Sequence, residues 1–303
     1  MSDVADPALA VFQKHRPALF GIAYRMLGSV ADAEDVLQDA WLKWSAAAAD
    51  GIDQPRAYLA RMVTNLSLNR LTSAVARRES YVGPWLPEPL VAIEDDASSS
   101  AERAEAVSLA MLVVLETLSP LERAVFVLSE VFGFTFGEIA GMLDRTETSV
   151  RQVASRARSH VQARRPRYEA PPDVRRRVTG QFLAACVGGD LNQVMAMLAP
   201  DVTVWTDGGG KIRAALRPVH GADHVARWFL GVIPKVQATG AWSALVNGQP
   251  GVLVTSEGRP DSVVVLDVGA DEKITAIRLI RNPDKLRHVD WETPGRTPGR
   301  AGR

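Results

Sequence analysis

The chain has 303 residues, enough for several small cores, and sets 35 Lys and Arg against 35 Asp and Glu. That balance excludes a protein that coats nucleic acid along its whole length. Its basic charge is local, in Arg145 to Arg167 and at Arg175, Arg176 and Arg177. The single cysteine, Cys186, excludes an intramolecular disulfide and a cysteine-rich metal centre, and its apolar setting, FLAACV, reads as a buried structural thiol.

The first residues are acidic and polar, unlike a secretory leader. Nor does any uninterrupted apolar run reach about 18 residues. A cytoplasmic location without a membrane partner is expected.

Residues 7–78 read as a helical domain. Phe12, Leu19, Ile22, Ala23, Met26 and Leu27 recur at three- and four-residue steps. Gly28-Ser29 ends that helix, and Ser29 with Asp32 starts another by a capping pattern. In DAEDVLQDAWLKW, Val36, Leu37, Ala40, Trp41 and Trp44 form the face expected to be buried. Asp32, Glu34, Asp35, Gln38 and Asp39 form an acidic face. It is either solvated, with acids favoured near a helix N-terminus, or a docking surface for a basic partner helix.

Pro55 suits the first turn of the next helix. Within it, Tyr58 to Arg70 carries Arg61 and Arg70 with Thr64, Asn65, Ser67 and Asn69, an excess of short amide and hydroxyl side chains that weaken helices. Two readings stand side by side: polar groups held in place to grip unstacked bases, or a helix break near Thr64-Asn65. From Glu79 to Ala104 the chain reads as an extended, mobile linker, with the Pro-rich YVGPWLPEPL followed by Glu94-Asp95-Asp96 and three serines. Trp85 and Leu86 are too apolar for a passive spacer, so they dock on something or form a local cluster.

Residues 105–168 form a second helical domain. Ser119-Pro120-x-Glu122 and Thr135-x-x-Glu138 are capping boxes. Asp144-Arg145 is a short break where Asp tolerates the left-handed conformation, and Thr146 caps the next helix. The pattern is that of a helix-turn-helix. In its last helix Val150, Val153, Ala154, Ala157 and Val161 share one side. Gln152, Ser155 and Ser159, flanked by Arg151 and Arg156, occupy the other. Such a face suits the major groove, where Gln and Ser bond to base edges and Arg binds guanine or phosphate. The alternative is an ordinary amphipathic helix with a solvated basic face.

Pro171-Pro172 marks the next boundary, and residues 173–289 change character. A helical run, VTGQFLAACVGGDLNQVMAMLAP, leads into Val- and Ile-rich segments, VTVWTD, WSALVN, GVLVTSE, SVVVLDV and ITAIRLIRN, with the amphipathic HGADHVARWFLGVIP between the first two. The order predicts an α+β domain with helices on one side of a curved sheet. Asp207, Gly208, Gly209, Gly210 and Lys211 form a tight-turn motif, DGGGK. Lys211 there is a candidate for a phosphate or carboxylate, although the complete phosphate-loop pattern is lacking. Asn282, Pro283, Asp284, Lys285 and Leu286 form a second motif, NPDKL. For catalysis the candidates are Asp207, His220, Asp223, His224, Glu257 and Asp267; the His220/His224 spacing has Gly221 where a metalloprotease needs Glu. Residues 290–303 are Pro-, Gly- and Arg-rich and read as a disordered tail.

Together these segments, from Pro7 to Arg165, resemble the extracytoplasmic-function class of bacterial RNA polymerase sigma factors. DAEDVLQDAWLKW resembles the part of region two that grips the clamp helices of the core enzyme. This implies core-polymerase binding by Glu34, Asp35, Gln38, Asp39 and Trp41. PRAYLARMVTNLSLNRL resembles the part that melts and reads the promoter −10 element, which implies DNA contacts by Arg61, Asn65, Asn69 and Arg70. LSPLERAVFVLSEVFGFTFGEIAGMLDRTETSVRQVASRAR resembles region four, reader of the −35 element, through Thr148, Ser149, Arg151, Gln152, Ser155 and Arg156. One departure is Arg145, where the family usually has an aliphatic residue.

WLPEP (Trp85, Leu86, Pro87, Glu88, Pro89), DGGGK and NPDKL resemble motifs of a SigJ-type subgroup with a fused SnoaL/NTF2-like cone domain. That resemblance implies a regulatory C-terminal domain that contacts the sigma core and tunes promoter-complex formation. The expected protein is therefore multidomain, two all-α sigma domains followed by an α+β cone. Its expected partners are core RNA polymerase, promoter DNA and its own C-terminal domain. No cofactor, metal or catalysis is expected, and a small-molecule ligand stays open. The alternative is a helix-turn-helix regulator that binds duplex DNA without polymerase and carries a sensing or catalytic SnoaL-like domain.

Overall fold

A computed structural model describes residues 7–47, 52–93, 107–164, 168 and 170–289, with backbone only for 72–79 and 93. The expectations for Glu94-Asp95-Asp96 and the serines after them, and for the tail at 290–303, lie outside these residues. The described residues fall into two compact units. One takes in the chain up to residue 80 together with 109–164; the other takes in 81–93, 107–108, 168 and 170–289.

The first unit is helical. α1 (Pro7–Leu27) ends at Gly28, whose φ of 67° is a left-handed cap and whose N–H donates to Tyr24 O at 2.8 Å. Ser29 then accepts from Asp32 N at 3.1 Å and opens α2 (Val30–Ala46). α3 (Pro55–Glu79) runs unbroken through Thr64-Asn65. Phe12, Leu19, Ile22, Met26, Val36, Leu37, Trp44, Leu59 and Val63 are buried where the three helices meet. Trp44 also donates its indole N–H to Ala8 O at 2.8 Å. Trp41 departs from the buried face expected for it: it is half-buried, set edge-on to Phe12 at 5.3 Å.

The rest of this unit is α4 (Leu109–Leu115), α5 (Pro120–Phe126) continued by a π-turn at Val127–Val131, α6 (Phe136–Leu143) and α7 (Glu147–Arg164). Both capping boxes form, Ser119 with Glu122 and Thr135 with Glu138. Arg123, 2 % exposed, donates to Met26 O at 2.6 Å and to Glu116 Oε1 at 2.8 Å, so it fastens α5 to the end of α1. Burial lowers its pKa to about 10. Arg56 of α3 donates to Phe132 O at 2.9 Å, and the Arg25 guanidinium lies over the Phe132 ring at 5.3 Å.

The second unit is α+β. It comprises β1 (Val91–Ile93), α8 (Pro172–Gly188), α9 (Leu191–Met197), β2 (Leu198–Asp207), β3 (Val219–His220) and α10 (Ala222–Val232). β4 (Gly240–Val246), β5 (Gln249–Ser256), β6 (Arg259–Val268), β7 (Ile274–Ile280) and α11 (Pro283–Leu286) complete it. Sheet order is β1-β4-β5-β6-β7-β2-β3; only β2 and β7 run parallel. α8 and α10 meet where Phe182 and Phe229 stack edge to face at 5.2 Å, over a core that includes Val202, Val204, Val252, Val264, Leu266 and Ile277.

β1 is the element the sequence did not announce. Val91, Ala92 and Ile93 pair antiparallel with Val246, Leu245 and Ala244. Residues 81–93, expected to be part of an extended, mobile linker, are instead bonded along the C-terminal sheet. The reason is a register partner far away in the chain, together with buried polar bonds described next.

Candidate nucleic-acid interface and the linker strap

α7 is placed by its caps. Asp144 ends α6 at φ 53°, ψ 55°, the left-handed conformation that reverses the chain, and Thr146 accepts from Ser149 N at 3.3 Å to begin α7. Val150, Val153, Ala154, Ala157 and Val161 are buried beneath it. Thr148, Arg151, Gln152, Ser155 and Arg156 are exposed and Ser149 is half-buried. Arg145, at the break, is exposed as well, so a long cation there needs no packing space.

The arginines of this face are oriented by neighbours. Arg151 pairs with Glu147 at 2.5 Å and lies over the Phe136 ring at 5.5 Å; Arg156 is 3.7 Å from Glu122. Such exposed pairs are weak and exchange readily for phosphate. Arg158, absent from the sequence-based set, pairs with Glu130 at 2.8 Å and lies over Phe136 at 5.7 Å. It lies on the same helix, and its position three residues after Ser155 was the available signal.

On α3 the polar residues divide by face. Thr64 and Ser67 turn into the helical core and are fully buried, while Arg61 and Asn69 are exposed and Asn65 is half-buried. Small hydroxyls inward permit close packing without a break; outward, Arg61 and Asn69 are exposed, and the Asn65 amide donates to Met142 O at 3.5 Å. Lys43, Tyr58, Arg61, Met62, Asn65, Leu66 and Asn69 line a groove of about 320 Å³. Its mixture of a flat aromatic ring, apolar side chains, amides and cations suits an unstacked base. Lys43, Tyr58, Met62 and Leu66 are members that sequence reasoning missed.

Arg70 lies apart from that groove. It bonds to Asp35 at 2.9 Å and Asp39 at 3.1 Å, with Asp32 at 3.7 Å, so it sits as a counter-ion on the acidic face of α2. Glu34 pairs with Arg16 at 2.6 Å. Glu34, Asp35, Gln38 and Trp41 share a second groove, of about 290 Å³, with Leu9, Phe12, Gln13, Arg16 and Leu37. Asp39 stands outside it.

In the second unit three motifs converge on Asp207, which is 0 % exposed. Its carboxylate accepts from the Tyr81 hydroxyl at 2.5 Å, Leu86 N at 2.8 Å, Gly209 N at 3.1 Å and Lys285 Nζ at 2.7 Å. Lys285 also donates to Leu86 O and lies over the Trp85 ring at 4.1 Å. Asn282 caps α11 by accepting from Asp284 N at 3.0 Å, and donates to Tyr81 Oη at 2.7 Å. Gly209 has φ 61°, and a Cβ there would collide with the Asn282 amide; one on Gly210 would meet Val82 at 3.1 Å. Lys211 pairs with Asp284 at 2.5 Å rather than standing open to a phosphate, and its hydrogen bond lowers the Asp284 pKa. Burial, then Asp207, pushes the Tyr81 pKa up.

Leu86, Pro87, Glu88 and Pro89 are buried in this strap, Trp85 is half-buried, and Leu286 is buried beneath. Pro283, at the first turn of α11, is exposed. The strap is held further along by residues not anticipated. His288 bonds to Pro89 O at 2.8 Å, and Asn247 accepts from Leu90 N at 3.1 Å and donates to Val107 O at 3.3 Å. The Asn247-Gly248 pair, a hairpin signature, was the legible clue.

All the catalytic candidates but Glu257 are otherwise engaged. Asp267 pairs with Arg278 at 2.7 Å, Asp223 with Arg227 at 2.8 Å, and His220 bonds to Thr203 at 3.0 Å. His224 bonds to His220 O at 3.2 Å, and Glu257 sits in a turn at φ 50°. Among the described residues no helix is long and apolar enough to cross a membrane, and no three His, Cys, Asp or Glu side chains group as a metal site.

Comparison with known proteins agrees with this layout. Residues 11–77 match the Sigma-70 region 2 family and residues 108–161 match Sigma-70, region 4. The ECF RNA polymerase sigma factor SigJ of Mycobacterium tuberculosis is 40% identical over 289 residues, covering 91% of this chain and 92% of that protein. The probable ECF RNA polymerase sigma factor SigI of the same organism is 34% identical over 299 residues, covering 96% and 98%. The crystal structure of SigJ superposes with a TM-score of 0.73 at 36% identity, covering 91% of this chain and 97% of that one. The chain belongs to the ECF RNA polymerase sigma factors, the subunits that bind core RNA polymerase and direct transcription initiation at promoters.

Proposed function

We propose that the exposed face of α7 reads the −35 duplex, with Arg151, Gln152 and Ser155 toward base edges and Arg156 toward phosphate. The α3 groove receives an unstacked −10 base through Arg61, Asn65 and Asn69. The acidic face of α2, with Trp41, docks on the core enzyme, and Arg70 holds its carboxylates in register. The C-terminal domain regulates initiation by holding the connection between the two sigma regions.

One observation carries the regulatory part. The chain that joins α3 to α4 is bonded to the sheet domain at its start, through Tyr81 and Leu86, and near its end, through Val107. A free linker of this length lets its ends separate widely. One fastened at both ends to a single domain does not. Regions two and four therefore move apart only as far as this domain permits. Catalysis plays no part in this reading. A plain duplex-binding regulator would leave the α3 groove and the acidic face of α2 without a use.

Run-off transcription with purified core polymerase tests the reading. The full chain is expected to give specific transcripts. Arg151→Ala with Gln152→Ala is expected to lose promoter choice, and Asp207→Asn to change transcript yield at equal core affinity. Promoter choice unaltered in the first variant would remove the −35 assignment; yield unaltered in the second would remove the regulatory one.

A further inference from the structure

The second unit holds a cavity of about 450 Å³ between α10, the loop after β2 and the end of β7. That volume is in the range small organic ligands occupy. One wall is apolar, made by Trp228 and Val232 of α10 with Val236 and Leu279. The other is basic, made by Arg213, Lys235 and Arg281, and among the described residues no acidic one lines the space.

The three cations are not equivalent. Arg281 is fixed, donating to Asp261 Oδ1 at 2.8 Å and to Arg213 O at 3.3 Å. Arg213 and Lys235 are exposed, and neither has a carboxylate partner among the described residues. Two uncompensated cations facing an apolar wall carry opposite preferences that a single molecule can satisfy. A bare phosphate would waste the apolar wall, and a neutral hydrocarbon would leave the cations unpaired.

We propose that this cavity binds an amphipathic organic anion, with its carboxylate between Arg213 and Lys235 and its apolar body against Trp228. The site adjoins the strap. Thr206 and Arg281 line it, and they directly precede Asp207 and Asn282; the Arg281 N–H donates to Asp207 O at 2.7 Å. An occupant therefore touches residues whose neighbours hold Tyr81. Binding stands by itself; its influence on initiation rests on the regulatory reading above.

The probe is 8-anilinonaphthalene-1-sulfonate, an aromatic anion that fluoresces in apolar sites, titrated into the full chain. Decanoate, decanol and decylamine serve as competitors. The expected result is one saturable site, displaced by decanoate and not by decylamine. Arg213→Gln with Lys235→Gln is expected to weaken decanoate by about ten-fold or more, as lost charge-assisted bonds require, at unchanged melting temperature. Val232→Trp, which fills the space, is expected to abolish probe binding. Absent saturation, equal competition by decylamine, or identical affinity in both variants would overturn the proposal. Run-off transcription with decanoate then separates the two claims. A yield change in the unmodified chain that the double variant lacks supports the coupling; intact binding with unchanged yield sinks the coupling alone.

Discussion

The exposed face of α7, proposed to read the −35 duplex, and the cluster around Asp207 are both polar, and they are opposites. Arg151, Gln152, Ser155 and Arg156 point into solvent and touch only surface neighbours. Asp207 is fully buried and accepts from four groups of its own chain. An exposed polar face costs little to fold and is available to a partner. A buried carboxylate is tolerated only because each lone pair is satisfied, and it fixes one arrangement of the segments around it. Truncation should therefore separate the two: binding suffers in the first, folding in the second.

The largest expected effect is at the buried cluster. Asp207→Ala leaves the Lys285 ammonium without its carboxylate and the Tyr81 hydroxyl and Leu86 N–H without the acceptor they donate to. A cost of about 3–5 kcal/mol is expected, read by denaturant unfolding, with new protease cleavage between residues 81 and 93. Stability within about 1 kcal/mol of the parent would mean that water replaces Asp207 and that the strap is not clamped.

Gln152→Ala should leave unfolding unchanged and cost the holoenzyme about 1–3 kcal/mol at one −35 base pair, with specificity relaxed there. Arg156→Ala should weaken all promoters alike and flatten the salt dependence. Base-dependent loss at Arg156 would exchange the two roles.

A smaller effect is expected at the cap that orients α6. Thr135→Ala removes the acceptor for Glu138 N, and about 1 kcal/mol of first-unit stability should go with it. The smallest is a pH effect of the same boxes. Hydrogen bonds from Ser119 and Thr135 hold the Glu122 and Glu138 carboxyls below their ordinary range. Depressed values mean stability present above about pH 4.5 and lost as pH falls through the folded values. Acid melting of Glu138→Gln should be correspondingly flatter. Tyr81 has the reverse sign: its raised value means stability present below about pH 10 and lost above it. An absorbance titration should show a late-ionising tyrosine that Tyr81→Phe removes.

The first unit was largely legible because its signals are local. Ser29 with Asp32, Ser119 with Glu122, Thr135 with Glu138 and the left-handed Asp144 each act within three or four residues. Residue spacing alone settles such contacts. Arg70 was different: its partners lie on another helix, 31 and 35 residues away, so its place on the acidic face had no local mark. The second unit's strands were legible from Val and Ile enrichment, but β1 was not. Three residues after a Pro-rich run carry no strand period, and the pairing with β4 spans about half of the chain. DGGGK, NPDKL and WLPEP could be picked out one by one. Their meeting point required Tyr81, 126 residues from Asp207, and a sheet to bring them together.

The strap has a consequence for dosage. A separate inhibitory subunit can be outnumbered when its target is overproduced, and a separate activator can be diluted. Here the strand that completes the sheet is cut from the very connection the sheet holds, so the two are made in equal number by every ribosome. Their effective concentration is set by chain length and not by expression. Under the proposed regulation, raising the amount of this protein multiplies the switch together with the thing it controls. The set point then moves only when a signal acts on the sheet domain itself.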